Sequence, residues 1–142
     1  FGLNPHRVYD DADIPGTFWG EPEAGLIGDT LYLRDDTPVH SALHETCHYI
    51  CMPPDQRSQL HTDAGGSARE EDATCYLQIL LADHIEKLGK QRMFADMDEW
   101  GYSFRLGSAR AWFEQDAEDA QEWLHHNGLI ADDDVVTFQI RR

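Results

Sequence analysis

The sequence has no apolar stretch near the ~18 residues that a membrane-spanning helix needs, so no membrane span is expected. Basic residues are scarce as well: 11 Lys and Arg stand against 27 Asp and Glu, giving a formal net charge of −16. This charge repels phosphate backbones and anionic membrane surfaces, and it attracts cations, basic peptides and basic proteins. Nucleic acid and membranes are therefore not expected as partners. A plain solubility or salt-adaptation surface would also have this composition.

Cysteine is nearly absent. Cys47, Cys51 and Cys75 are an odd number and lack the spacing of a disulfide framework. Two of them lie in helical apolar patterns, which is typical of buried free thiols in a reducing compartment. A cytoplasmic location is therefore expected. The chain starts at Phe1 rather than Met, so further residues are expected upstream, and export stays open.

The sequence also lacks internal repeats and low-complexity tracts. Its 142 residues are 41% hydrophobic, and aromatic residues are spread along the whole chain. This length and composition predict one globular domain covering residues 1–142, large enough to bury a core.

Turn residues and hydrophobic periodicity predict a small set of elements. In chain order these are an irregular lead-in at 1–16, a short strand at 17–19, a hairpin at 26–33, helices at 38–52, 67–88 and 108–126, an irregular aromatic segment at 93–104 and a strand at 135–140. The hairpin turn is Gly28-Asp29. Thr37 is the expected cap of the first helix, Pro38 its first residue, and Pro53 ends it. A polar loop at 55–66 joins the first two helices.

The first predicted helix carries the run His44-Glu45-Thr46-Cys47-His48. Two histidines four residues apart project from one helix face about one turn apart, which suits two ligands of a tetrahedral zinc ion. A carboxylate next to the first ligand can take the proton of a metal-activated water without itself binding the metal. The pattern therefore predicts zinc ligands at His44 and His48 and a general base at Glu45.

This motif resembles the active-site helix of the zinc peptidases called zincins. The metzincin branch continues with a Gly and a His at the places that Cys51 and Pro54 occupy here, so that branch is excluded. The gluzincin branch takes a glutamate from the next helix. The resemblance covers about residues 30 to 85, and it implies an α+β, zincin-like fold: a small antiparallel sheet packed on the active-site helix, with two further helices. It also implies that an edge strand at 30–33 holds an extended substrate.

Two acidic residues, Glu70 and Glu71, open the second predicted helix 22 and 23 residues after His48. Helical periodicity places Glu70 on the inward-packing stripe and Glu71 on a more polar face, so Glu70 is the expected third metal ligand and Glu71 the alternative. The run from Glu70 to Thr74 also resembles the E-x-x-A-D/N pattern of several gluzincins. Thr74 departs from it, because those families carry Asp or Asn there. Ser67-x-x-Glu70 is also a capping-box pattern, which leaves a structural role open.

Other residues are weaker candidates. His40 lies one turn before His44, but ~12 Å of helix separates it from His48, so a rim or exposed position is expected. His61 is expected to be a solvated loop histidine. Oxyanion stabilisation is unassigned among Tyr102, Arg105, His125 and His126. An aromatic group is expected in the core: Trp100, Tyr102, Phe104, Trp112 and Phe113.

The sequence thus predicts a zinc-dependent peptidase that acts on a peptide or protein substrate through a metal-activated water. The predicted site comprises His44, His48 and Glu70 around zinc, with Glu45 as the catalytic base. The alternative is a regulatory or binding protein of zincin fold with little or no catalysis, which the acidic surface and Thr74 favour. A third interpretation, an acidic mimic of nucleic acid, rests on charge alone.

Overall fold

A computed structural model of the protein describes residues 2–9, 12–17, 22–59 and 67–142. Over these residues the chain is an α+β protein with six α-helices and a small mixed sheet, so the predicted class is confirmed. The expected set of only two further helices is wrong, because five helices accompany the motif helix in this part of the chain. The chain divides into two compact units, Phe1–Gly66 with Gln139–Arg142, and Ser67–Phe138.

The sheet of the first unit contains β1 (Asn4–Arg7), β2 (Gly25–Ile27) and β3 (Thr30–Leu33) in the order β1-β3-β2. The predicted hairpin is confirmed: β2 and β3 pair antiparallel, with Ile27 opposite Thr30. Gly28 in its turn has φ +59°, a conformation that favours glycine.

The lead-in expected to be irregular instead forms β1, which pairs parallel with β3. The sheet is therefore mixed, and the prediction of an antiparallel sheet is wrong. All four residues of β1 are exposed, so no hydrophobic alternation announces the strand in the sequence. The strand predicted at 17–19 lies largely outside the described residues.

The motif helix is α1 (Val39–Cys51), close to the predicted bounds. Thr37 does not cap it, because the Thr37 Oγ1 accepts the backbone N–H of Arg34 at 2.8 Å. Pro38 holds the N-cap position, with extended φ and ψ, rather than the first helical position. At the other end the chain leaves the helix at Met52, and Pro53 has no N–H with which to continue it.

The core of the first unit lies where α1 packs on the sheet. Leu26, Tyr49 and Met52 form its buried cluster, and Leu3 and Ile140 pack against them. On α1, Cys47 and Ile50 are buried, whereas Val39, at the start of the helix, is 47% exposed.

The C-terminal end of α1 is held by two arginines. Nε of Arg57, in the short helix α2 (Pro54–Arg57), donates to the Tyr49 carbonyl at 3.0 Å, and Arg57 also donates to the Arg141 carbonyl. The Arg141 N–H donates to the Ile50 carbonyl at 2.9 Å. The last carbonyls of a helix have no partners within it, so these bonds satisfy them. Burial lowers the pKa of Arg57 from its usual value. The helix α2 falls at the start of the predicted loop 55–66, whose residues 60–66 lie outside the described chain.

The second unit begins with α3 (Ala68–Ala82), capped by Ser67. The helix predicted to reach residue 88 ends six residues earlier, because Asp83 starts a turn and its carboxylate accepts the Lys90 N–H at 2.9 Å. That bond caps the next helix, α4 (Gly89–Glu99), where Gly89 has φ +77°. The prediction of an irregular segment at 93–104 is therefore wrong over most of its length.

The helix predicted at 108–126 is two helices, α5 (Ala109–Gln115) and α6 (Glu118–His126). Asp116 breaks the run with φ −143°. Arg105 fixes this break, because its guanidinium donates to the Asp116 carboxylate at 2.6 Å and to the Asp116 carbonyl at 3.1 Å. The carboxylate of Asp116 accordingly raises the pKa of Arg105.

The chain of the second unit closes with β4 (Ile130–Ala131) and β5 (Val135–Val136), an antiparallel pair. The strand predicted at 135–140 is therefore limited to two residues. Between β4 and β5, Asp134 lies in a short turn with φ +59° and binds the side chains of Tyr76 and Gln121.

The core of this unit is built around α3, whose residues 73–82 are all buried. Of the aromatic group predicted for the core, only Trp112 is buried; it stacks on Phe104, and Phe113 stacks on Tyr76. Tyr102, Phe104 and Phe113 are partly buried and Trp100 is 46% exposed, so the prediction is confirmed in full for Trp112 alone. The three cysteines are buried and free, as predicted. In the described part of the chain, none of the helices has the length and apolarity to cross a membrane.

Candidate metal centre

The helix α1 places His44 and His48 side by side. Their Nε2 atoms are 3.0 Å apart, and the rings stand nearly perpendicular with centroids 4.5 Å apart. Two imidazole ligands of one tetrahedral zinc ion, at ~2.0–2.1 Å each, would have their nitrogens roughly 3.3 Å apart. The observed separation differs from that value by a few tenths of an ångström. The two histidines therefore fit a shared metal ion.

Buried neighbours on α1 anchor the pair. Cys47, Ile50 and Cys51 are buried in the first unit, while His44, Glu45 and His48 are each partly exposed. Side chains that alternate in this way place the motif at the edge of the buried face, within reach of solvent. Glu45 follows His44 by ~100° around the helix, which keeps its carboxylate on the partly exposed side.

The histidine at position 40 does not lie where the sequence suggested. His40 is 2% exposed, so the prediction of a rim or exposed side chain is wrong. The neighbouring Ser41 is also buried, and its hydroxyl accepts the Ala24 N–H at 2.8 Å. His40 and Ser41 are therefore both enclosed, although polar residues in the first turn of a helix favour exposure. His61, the other weak candidate, lies outside the described residues.

In the second unit, α3 carries the acidic residues that the sequence singled out. The Ser67 Oγ accepts the Glu70 N–H at 3.2 Å, so the capping role foreseen for this pair is present. Glu70 is partly buried and Glu71 is exposed, in agreement with the helical faces predicted for them. The Thr74 hydroxyl donates to the Glu70 carbonyl at 2.8 Å, which leaves its oxygen able to accept a further hydrogen bond.

A second feature of α3 was not among the predicted metal ligands. The Sγ of Cys75 lies 3.9 Å from Oε1 of Glu71, one helical turn away, so a thiol and a carboxylate share one face. Both groups are common zinc ligands. The sequence does show this pair, because Glu71 and Cys75 have the same four-residue spacing as His44 and His48. Its position in an apolar helical pattern predicts Cys75 as a buried thiol only.

The candidates for oxyanion stabilisation are engaged within the second unit. Arg105 is paired with Asp116, and Nε2 of His125 lies 3.0 Å from Oδ1 of Asp132. The Tyr102 hydroxyl accepts from the Gln78 side chain at 3.5 Å. His126 is exposed in the last turn of α6. These contacts give each of the first three a structural role, and the catalytic role stays unassigned.

The strand expected to hold substrate at a sheet edge is not at an edge. β3 lies in the centre of its sheet, with β1 on one side and β2 on the other. The expectation taken from the zincin resemblance is wrong here, because β1 occupies the side that would have been open. A peptide could pair with β3 only if one of these neighbours left it.

No known family, curated protein or solved structure matches the chain. The resemblance to zincins therefore rests on the motif of α1 and on the acidic start of α3.

The local chemistry of α1 is nevertheless specific. Two imidazoles whose Nε2 atoms lie 3.0 Å apart can both bind one cation, and a carboxylate follows directly in the chain. Hydrolysis by a bound metal needs two metal-binding side chains, a further ligand and a base of this kind. Carboxylates and thiolates are the ligand types that could complete such a set.

Proposed function

We propose that the protein is a zinc-dependent peptidase with a zincin-like fold. His44 and His48 bind the metal, and Glu45 acts as the general base. One observation carries the proposal: the two Nε2 atoms lie 3.0 Å apart on one turn of a helix whose adjoining side chains Cys47 and Cys51 are buried. Paired imidazoles at this spacing, with a carboxylate after the first, are suited to metal-assisted hydrolysis.

Each residue has one task in this proposal. The imidazoles of His44 and His48 are neutral when they bind, so metal binding releases any protons they carry. Zinc supplies the polarisation that makes a water molecule nucleophilic near neutral pH. Glu45 accepts the proton of that water and returns it to the amine that leaves when the peptide bond is broken. The buried side of α1 holds the three side chains in fixed directions.

The third ligand is proposed to be Glu70, a partly buried residue whose backbone is fixed by the Ser67 cap. The alternative is the pair of Glu71 and Cys75, which already share one face of α3. These possibilities differ in the metal they prefer, because a thiolate favours softer ions than a carboxylate does. Metal content of the Glu70→Ala, Glu71→Ala and Cys75→Ala variants separates them.

The substitution that tests the function is Glu45→Gln. The variant should bind one zinc per chain, as the wild type does, and lose ~10²–10⁴-fold in the rate of hydrolysis of a peptide library, because the proton acceptor is gone. Glu99→Gln, at an exposed position on α4, is the matched control and should keep full activity. Equal hydrolysis by Glu45→Gln and the wild type contradicts the assignment of the base.

A second function has an observation in its favour. The net charge of −16 suits binding to a basic protein, and Thr74 stands where the resembled families carry the Asp or Asn that orients a zinc-bound histidine. A zincin-fold binding or regulatory protein would keep the metal without turnover. Zinc near one per chain, with no cleavage of any peptide or protein offered, is the result that selects it.

A further inference from the structure

Four residues, Gln139–Arg142, belong to the first unit and form an arm that binds the C-terminal end of α1. The backbone N–H of Arg141 donates to the Ile50 carbonyl at 2.9 Å, and its Nη1 donates to the Cys51 carbonyl at 3.2 Å. Arg57 in turn donates to the Arg141 carbonyl. The last carbonyls of a helix have no partners within it, so the arm supplies bonds that α1 cannot make for itself.

Ile140 adds an apolar contact to these hydrogen bonds. It packs against the buried cluster of Leu26, Tyr49 and Met52. The groups that receive the arm, both the apolar cluster and the carbonyls at the end of α1, all belong to the first unit. An arm from a second copy of the chain can therefore make the same contacts.

The chain enters the arm through a strained residue. Phe138, the last residue of the second unit, has φ +59°, a conformation in which the Cβ of an L-residue crowds the following carbonyl oxygen. The residue before it is fixed, because the Thr137 N–H donates to the Leu129 carbonyl at 3.1 Å and its hydroxyl donates to the Gly128 carbonyl at 2.7 Å. The strained residue therefore lies between two anchored stretches, Thr137 on one side and the arm on the other.

We propose that two copies of the protein exchange this arm and so form a dimer. In each copy the end of α1 is bound by the arm of the other copy, and Phe138 adopts an extended φ as its arm reaches across. A short connection under strain favours such an exchange, because the same contacts form again without the strained backbone. The helix that carries His44 and His48 is then completed by the second copy. The exchange needs neither metal nor catalysis, so it is independent of the peptidase proposal.

The expected affinity of the dimer follows from two quantities. The arm is tethered to its own chain, so the arm of a second copy competes with a local concentration of roughly millimolar order. Relief of one left-handed phenylalanine favours exchange by roughly tenfold, and a dimer relieves two, which gives roughly a hundredfold. The wild type should therefore dimerise with a Kd on the order of 10 µM.

Sedimentation equilibrium of the metal-free full chain measures this Kd in the wild type and two variants. Phe138→Ala and Phe138→Gly both remove the ring, and with it the contact to the His84 ring, whose centroid lies 5.1 Å away. Only Phe138→Gly also removes the strain, because glycine adopts a positive φ readily. Phe138→Ala should keep a Kd near that of the wild type, whereas the Kd of Phe138→Gly should be roughly a hundredfold weaker. Equal Kd values for the two variants, or a wild type that stays monomeric at ~100 µM, overturn the proposal.

A second measurement separates arm exchange from a dimer formed by any other surface. In an equimolar mixture of isotope-labelled and unlabelled wild-type chains, isotope-filtered NMR detects contacts between chains only. NOEs between Ile140 and the cluster of Leu26, Tyr49 and Met52 should appear between chains. At the same concentration, Phe138→Gly should show these intermolecular NOEs much more weakly. A wild-type dimer that lacks them overturns the proposal.

Discussion

The hydrogen bond between Tyr76 and Asp134 should contribute strongly to the stability of the second unit. Tyr76 is 1% exposed, and its hydroxyl donates to Oδ2 of Asp134 at 2.6 Å. The short distance is typical of an O–H donor to a carboxylate, a bond worth roughly 1.5–3 kcal/mol. After Tyr76→Phe, Asp134 is still half-exposed and still accepts from Gln121 at 3.1 Å, so we expect the lower half of that range, about 1.5–2 kcal/mol.

The pH dependence of this bond follows from the titration of Tyr76. Burial, and then the Asp134 carboxylate, raise the pKa of Tyr76 far above its usual value of 10.0. Above pH ~10 the unfolded chain loses this proton while the folded protein keeps it, so the unfolded state is favoured and stability falls as pH rises. Below that pH the contribution is fully present. Tyr76→Phe removes this titration, so the stability difference between wild type and variant should shrink above pH ~10.

Urea unfolding followed by tryptophan fluorescence measures both effects. With a slope of ~2 kcal/mol/M, the unfolding midpoint of Tyr76→Phe at pH 7 should fall by roughly 0.8–1 M. Tyr9→Phe is the matched control, because Tyr9 is exposed, and its midpoint should not move. An unchanged midpoint for Tyr76→Phe at pH 7, or a difference from wild type that does not shrink in alkali, refutes the reasoning.

Three further outcomes are expected. Zinc at 100 times its Kd should raise the unfolding free energy of the wild type by ~2.7 kcal/mol, measured in thermal melts, and should stabilise the control His126→Ala equally. The same zinc concentration should not stabilise His48→Ala. A zinc-dependent shift that persists in His48→Ala contradicts the site. Burial raises the pKa of Asp72, so its charged form penalises the folded state. Asp72→Asn should therefore be more stable than the wild type in urea unfolding at pH 7, and this difference should disappear as the pH falls below about 4. Equal stability of the two proteins at pH 7 contradicts the idea that burial penalises the charged carboxylate. Asp83→Ala should lose ~1 kcal/mol through the missing cap of α4, and circular dichroism melts that match the wild type contradict the capping role.

Turn residues and prolines predicted the hairpin and the end of the first helix, because residues next to one another in the chain determine both. The hairpin follows from Gly28 and Asp29, and the end of α1 follows from Pro53. The strand β1 was not predictable, because it is exposed and is held by backbone bonds to a distant strand rather than by apolar side chains. Two helix boundaries depend on side-chain bonds to backbone that periodicity does not register: Asp83 to the start of α4, and Arg105 to the break at Asp116.

In the candidate site as well, the features set by helix geometry were predictable from the sequence, and those set by packing were not. The approach of His44 and His48 follows from helical geometry alone, so the sequence was sufficient to predict it. The burial of His40 depends on what packs against the start of α1, which no pattern in that helix reports. The four-residue spacing of Glu71 and Cys75 predicts that they share a helix face, but it does not mark Cys75 as a ligand, because a cysteine in an apolar run is ordinarily a core residue.

The main chain of Pro15 passes so close to Gly25 that an added Cβ would lie 1.8 Å from the Pro15 oxygen, and this contact has an evolutionary consequence. Every amino-acid replacement that a single base change can make in a glycine codon adds at least a Cβ, and here that atom would collide with the Pro15 carbonyl. The backbone on the other side cannot move away cheaply, since the Leu26 N–H is bonded to Gly16. Every amino-acid replacement that one base change can introduce at position 25 is therefore expected to destabilise the protein. At Gly28, in the hairpin turn three residues further along, an added Cβ would meet nothing within 4 Å, and asparagine can replace the glycine because it also tolerates a φ of +59°.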